Sequence, residues 1–299
     1  MRIEENLTVG SAWAIFNSKL SEHYSAIEIH SLGNIIFEHF FNLDPAQRIL
    51  QRNHLIAQGF GAKLEEIIEQ LKLHVPVQYI TGVAHFCNLQ FEVDKRVLIP
   101  RPETEELVAW VYSTICTNRF DSSQLHILDV CTGSGCIAIS LAKQLKDAKI
   151  KGCDISEAAL ELANENAKKN QMDVEFFHFD ALNDSLLLQN LDAVVCNPPY
   201  VTNKEKMQMQ TNVLNFEPHL ALFVPDNDPL LFYRAVARLA YSSLKSGGWL
   251  FFEINENFSD ETTLCIINEG FKDVQLKRDF NQKPRFIAAQ KLCKSSFID

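Results

Sequence analysis

Between residues 103 and 291 the sequence changes period again and again. Short, nearly continuous apolar runs stand at "LHILDVC" (125–131), "KIKGCD" (149–154), "DVEFFHF" (173–179), "LDAVVCN" (191–197) and "GWLFFEI" (248–254). Between and around them lie stretches whose apolar residues recur at helical spacing, over 103–117, 135–146, 157–169, 228–245 and 259–269. Strands that are apolar along their whole length are covered on both faces, and parallel neighbours need a long crossover between them, usually a helix. The alternation therefore predicts the α/β class: a doubly wound, mostly parallel sheet of seven strands, the last two (near 271–278 and 285–291) an antiparallel pair. In such sheets ligands lie outside the carboxyl ends of the strands, near the point where the strand order reverses. The residues just past each apolar run are thus the candidates for a site.

Upstream the pattern is different. Residues 1–75 repeat a helical period, for instance Ile29, Leu32, Ile36 and Phe40, then Leu64, Ile67, Ile68 and Leu71. Asp44 before Pro45 is the start signal of a helix. A small helical bundle is expected there. "NLQFEVDKRVLIP" alternates Leu89, Phe91 and Val93, and a turn at Asp94-Lys95 leading back through Val97 and Ile99 predicts a β-hairpin. The expected organisation is a helical recognition domain over 1–75, a linker with a hairpin over 76–102, and the sheet domain over 103–299.

Composition counts against several functions. The net charge is −10, and residues 1–75 hold six Lys/Arg against nine Asp/Glu, so the helical segment suits a protein surface better than a polyanion. None of the eight cysteines has CxxC spacing and none of the nine histidines forms an HxxxH pair, which argues against a zinc site or a disulfide framework. The amino-terminal "MRIEENLTVG" lacks an apolar core, and no run reaches membrane-spanning length. The chain reads as a soluble, cytoplasmic monomer with no metal and no membrane or obligatory nucleic-acid partner.

Two strand tips carry chemistry. "LDVCTGSGCIAIS" ends the first strand with Gly133 and Gly135, which permit a tight turn and close approach of backbone N–H groups to a ligand. Asp154, at the tip of the next strand, is placed to accept hydrogen bonds from ribose hydroxyls, and Asp180 at the third tip suits contact with an adenine. The bland alternatives are a glycine turn and two helix caps. "GSGCIA" also fits the dinucleotide fingerprint, so the loop alone leaves a nicotinamide or an adenosylmethionine cofactor open.

The fourth tip is Asn197-Pro198-Pro199-Tyr200. Two prolines end a strand, but that leaves the amide and the phenol unexplained. For methyl transfer to a planar NH2, Asn197 supplies a side-chain acceptor, the prolines a rigid carbonyl, and Tyr200 a flat face. Adenine N6, cytosine N4 and the glutamine amide all present such a group. Here the sequence resembles the protein-(glutamine-N5) methyltransferases of the PrmC/HemK type, which modify peptide chain release factors. The resemblance runs through "PVQYITG" (76–82), "LIPRPETEELV" (98–108), "DVCTGSGCIAI" (129–139), "NPPY" (197–200) and "FEPHLALF" (216–223). NPPY by itself is shared with adenine methyltransferases; the "IPRPETEELV" block is far more specific.

The resemblance implies a Rossmann-like class I methyltransferase fold and S-adenosyl-L-methionine as cofactor. It implies that Cys131, Thr132, Gly133, Ser134 and Gly135 line the methionine part of that cofactor, that Asp154 holds the ribose, and that Asp180 and Ala181 border the adenine. Asn197 meets both cofactor and substrate; Pro198, Pro199 and Tyr200 complete a glutamine pocket; Arg101 and Glu103 lie near its mouth. The implied substrate is the glutamine of the GGQ motif in class 1 release factors. A ribosomal-protein glutamine, an adenine in nucleic acid, and a non-catalytic binding module are the alternatives. Cys131 stands where many members have glycine.

Overall fold

A computed structural model describes residues 7–117 and 124–292. The ends of the first and last expected domains, residues 1–6 and 293–299, lie outside the described residues, as do 118–123. The chain forms two compact units, one of Met1–Val83 with Gln210–Phe216, the other of Ala84–Met209 with Glu217–Asp299.

The first unit holds helices α1 (Val9–Leu20), α2 (Ala26–Phe41), α3 (Pro45–Leu50), α4 (Phe60–Lys72) and α5 (Val77–Thr81). Each of the first three starts on a side-chain cap. Thr8 accepts from the Ser11 N–H, Ser25 from the Glu28 N–H, and Asp44 from the Gln47 N–H at 2.8 Å. These bonds satisfy donors that an uncapped helix leaves unpaired. The periodic residues Leu64, Ile67, Ile68 and Leu71 are buried with Phe16, Leu20, Ile36 and Phe37 in one core. Val77 and Ile80 of α5 pack on that core, so the helical unit extends past the expected limit at residue 75.

The second unit opens with the hairpin, and here the sequence reading needs correction. Strand β1 (Val83–Phe86) pairs with β2 (Leu89–Glu92) across Cys87-Asn88. Both turn residues have left-handed φ, 49° and 59°, which a two-residue hairpin turn of the favoured twist requires. The expected return strand through Val97 and Ile99 does not form. Asp94 captures its own neighbourhood instead: its carboxylate accepts from the Arg96 N–H at 2.9 Å, and its carbonyl from the Val97 N–H at 3.1 Å. Pro100 and Pro102 then offer no ladder donors.

The remaining elements are α6 (Pro102–Thr117), β3 (His126–Val130), α7 (Cys136–Gln144), β4 (Lys149–Asp154), α8 (Glu157–Lys169), β5 (Val174–His178), β6 (Leu191–Cys196), β7 (Val201–Thr202), α9 (Thr211–Phe216, part of the first unit), β8 (Phe223–Val224), α10 (Leu231–Ser243), β9 (Leu244–Glu253), α11 (Ser259–Asn268), β10 (Lys272–Arg278) and β11 (Pro284–Gln290). β9 begins at Leu244 rather than 248, because buried Leu244 is taken into register opposite Leu191. Seven strands make the main sheet in the order β10-β11-β9-β6-β3-β4-β5, parallel except for β11, which runs antiparallel to both neighbours. This is the doubly wound sheet that the alternation of period predicts.

The register decides where the site is. Val130 pairs with Cys153 on one side and Cys196 on the other, and Cys196 pairs with Phe252. The next residues, Cys131, Asp154, Asn197 and Glu253, therefore stand at one level at the carboxyl ends of four adjacent strands. The strand order reverses between β3 and β6, within that row.

Candidate active site

A partly enclosed cavity of about 210 Å³ opens at this row. Its walls include Cys131, Thr132, Gly133, Ser134, Asp154, Asp180, Ala181, Asn197 and Pro199, so most of the residues expected from sequence are brought together. Arg101 is also on the wall. Glu103, Gly135, Pro198 and Tyr200 are not among the lining residues. Gly135 instead faces packing: a Cβ there would sit 3.0 Å from Ile139 and Phe176.

The glycine loop is shaped for close approach. Gly133 has φ +54°, and a Cβ added to it would meet no atom within 4 Å. Since Gly133 lines the cavity, that open space leaves room for close approach to bare backbone. Cys131 has φ 60°. A left-handed residue with a Cβ costs about 1–2 kcal/mol, so glycine would be less strained at this position than Cys131.

Asp154 is fixed by the backbone around it. One oxygen accepts from the Gly133 N–H at 2.9 Å, the other from the Ser156 N–H at 3.0 Å. The Ile155 N–H also contributes, and the carboxylate keeps acceptor capacity beyond these three bonds. Burial raises the pKa of this carboxyl, against the pull of those N–H groups. Asp180 is held by the amide of Asn183 and the Leu182 N–H, each at 2.8 Å, and its pKa is lowered, chiefly by the Asn183 bond. It closes a turn, with no helix following. Beneath the loop, Asp129 is wholly buried and accepts from the Thr132 hydroxyl at 2.6 Å; desolvation pushes its pKa up to about 7.

On the other side of the cavity the contacts are between side chains. The Asn197 amide nitrogen donates to the Thr104 hydroxyl at 3.4 Å, and Thr104 donates to Glu253 Oε2 at 2.7 Å. The Tyr200 hydroxyl donates to Glu253 Oε1 at 3.0 Å, and the Asn255 amide donates to the Tyr200 carbonyl at 3.0 Å. Glu253 is 2% exposed. Its pKa is raised by desolvation, opposed by the two hydroxyl bonds and the charge of Arg285. A second buried carboxylate ties the walls together: Glu217 accepts from Arg101 at 2.5 Å and from the Ile99 N–H at 3.1 Å.

The residues fit adenosylmethionine. A bare glycine loop faces the cavity, a carboxylate with spare acceptor sites stands at the second strand tip, and Ile155, Phe179, Leu182 and Phe232 give apolar walls for a base. Among the described residues no group of three or more His, Cys, Asp or Glu is placed to hold a metal ion.

Two family models match the chain: the PrmC N-terminal domain over residues 11–82 and the methyltransferase small domain over 112–217. The chain is 43% identical to the release factor glutamine methyltransferase of Flavobacterium psychrophilum, over 91% of this chain and 95% of that protein. It is 40% identical to the enzyme of the same name from Bacteroides thetaiotaomicron, over 93% and 98%. The chain belongs to the release factor glutamine methyltransferase family. A solved human structure described as a methyltransferase 10 domain containing protein shares the fold, at TM-score 0.50 and 17% identity over 69% of this chain and 90% of that one.

Within this family's class I methyltransferase fold, the sequence reading overlooks Thr104, Glu217 and Glu253. Each bonds to residues distant in sequence. Glu253 carries one legible signal, a charge closing the apolar run "WLFFE" of a strand covered on both faces. Thr104 and Glu217 carry none of their own beyond lying in the blocks of family resemblance.

Proposed function

We propose that this chain transfers a methyl group from S-adenosylmethionine to the side-chain amide nitrogen of the glutamine in the GGQ motif of class 1 release factors. One observation carries the reading: Asn197, Asp154 and the bare glycine loop line the wall of a single cavity, so an amide borders the space that suits a nucleoside cofactor. Similarity along nearly the whole length to proteins named for this activity supports the choice of substrate.

The residues divide the work. Asp154 would hold the ribose hydroxyls, Cys131–Ser134 the methionine portion, and Asp180 and Ala181 the rim of the adenine. When bound, the cofactor supplies an electrophilic methyl on its sulfonium. Asn197 Oδ1 accepts one hydrogen of the substrate amide, and a backbone carbonyl of the Asn-Pro-Pro segment accepts the other, which aims the nitrogen. Tyr200 braces the motif through its hydroxyl and carbonyl. The nitrogen releases its proton to water as positive charge develops, so no strong base is required. The helical residues 1–75 would meet the release factor, and a translation substrate makes the cytoplasm the compartment.

Incubation with labelled cofactor and a class 1 release factor, followed by mapping of the labelled residue, tests the reading. Label on the GGQ glutamine is expected. Label on another residue, or only on nucleic acid, overturns it.

A further inference from the structure

Glu253 and Thr104 have geometry that bracing alone does not account for. Glu253 ends β9 one level with Asn197, and both of its oxygens receive hydroxyl groups. With Glu253 ionised and receiving both hydroxyls, it has no hydrogen to give, so Thr104 donates at 2.7 Å. Its hydroxyl hydrogen is thereby spent, and only lone pairs remain to face Asn197. The partner that lone pairs accept is the amide NH2; an amide oxygen turned the same way would set two acceptors against each other. The 3.4 Å bond from Asn197 Nδ2 to Thr104 is the one arrangement that this polarity allows.

We propose that Glu253 and Thr104 are positioning residues: through the order Glu253, Thr104, Asn197 they lock the Asn197 amide in the orientation that presents Oδ1 to the substrate nitrogen. A flipped amide would present two N–H donors to an NH2 group, which repels rather than aims it. The carboxylate thus sets the polarity of an acceptor on a different strand without touching the reactants. The inference rests on the proposed glutamine chemistry for its consequence, but not for its geometry.

Two readouts keep the two apart. In the free enzyme, the Asn197 side-chain NH2 resonances, assigned by their loss in Asn197→Asp, should exchange with water more slowly in the wild type and in Thr104→Ser than in Thr104→Val. In methyl transfer to a GGQ peptide, Thr104→Val should lower kcat roughly ten- to a hundredfold, with KM and cofactor affinity within about threefold, while Thr104→Ser recovers most of the rate. Glu253→Gln, which keeps the shape but places an NH2 among the hydroxyls, should give the same loss of kcat and is the substitute should Thr104→Val fail to fold. Equal NH2 exchange in wild type and Thr104→Val, or a folded Thr104→Val or Glu253→Gln enzyme with normal kcat, overturns the proposal. Absence of any transfer by the wild type would defeat the glutamine reading alone, leaving the exchange measurement to judge the positioning.

Discussion

Along the rim formed by β3, β4 and β5, the polar groups are held within the strand-tip loops: Asp154 by the backbone N–H groups of Ser156 and of Gly133 on the adjacent tip, Asp180 by the Leu182 N–H and the Asn183 side-chain amide. Along the rim formed by β6 and β9, they are held by side chains far away: Asn197 by Thr104, Thr104 by Glu253, Tyr200 by Glu253 and Asn255. The first construction suits a ligand gripped the same way before and after reaction. Its partners all lie in adjoining strand-tip loops. The second suits a nucleophile that must be aimed, because an amide or hydroxyl pointing the wrong way is corrected only by a group packed against it. On the proposed reading, binding and aiming would be built separately on one row of strand tips.

That separation has measurable consequences. The largest is expected at Asn197. Asn197→Ala removes the aiming acceptor and should lower methyl transfer by about a hundredfold or more, with a smaller loss of cofactor affinity by calorimetry than Asp154→Ala. A parallel fall in affinity would erase the difference between the rims. Asp154→Ala addresses the other rim and should weaken cofactor binding by about one to two powers of ten, the loss of charge-assisted hydrogen bonds. Unaltered affinity in a folded Asp154→Ala variant would remove that carboxylate from the binding rim.

Tyr200→Phe leaves one oxygen of a buried carboxylate without its donor. It should cost about 1–3 kcal/mol of stability in denaturant unfolding, with the cofactor still bound; full stability would mean that Tyr200 is not a brace. A last expectation concerns Asp129, whose folded pKa, raised by burial to about 7, exceeds the ordinary 3.8. The folded state then holds a proton that the unfolded state releases, so this group's contribution to stability declines as pH rises from about 4 to about 7. Asp129→Asn should flatten that part of the pH–stability profile. Unfolding midpoints on either side of the window check it, and an unchanged slope would assign the dependence to other groups.

The asymmetry of the rims also explains what can be read from the chain. Asp154, Asp180 and the glycine loop are legible because their local sequence carries their geometry: a strand, a tight turn, and an acid at the tip. Asn197 is legible because two prolines mark it. The hairpin is misread because Asp94-Lys95 is a genuine turn, and only pairing distinguishes it from the left-handed Cys87-Asn88 turn that joins the strands. Thr104 and Glu253 are illegible as a pair, since they lie 149 positions apart.

By itself the sequence determined the α/β alternation, the helical unit before it, and the identity of the polar residues at the tips of β3 to β6, because these depend on period, propensity and local turn chemistry. Tertiary structure alone decided that Cys131, Asp154, Asn197 and Glu253 share one level, that Gly133 borders open space while Gly135 packs against Phe176, and that a buried glutamate and a threonine set the direction of the Asn197 amide. Those facts follow from strand register and close packing, which are properties of pairs of segments and are written in neither segment alone.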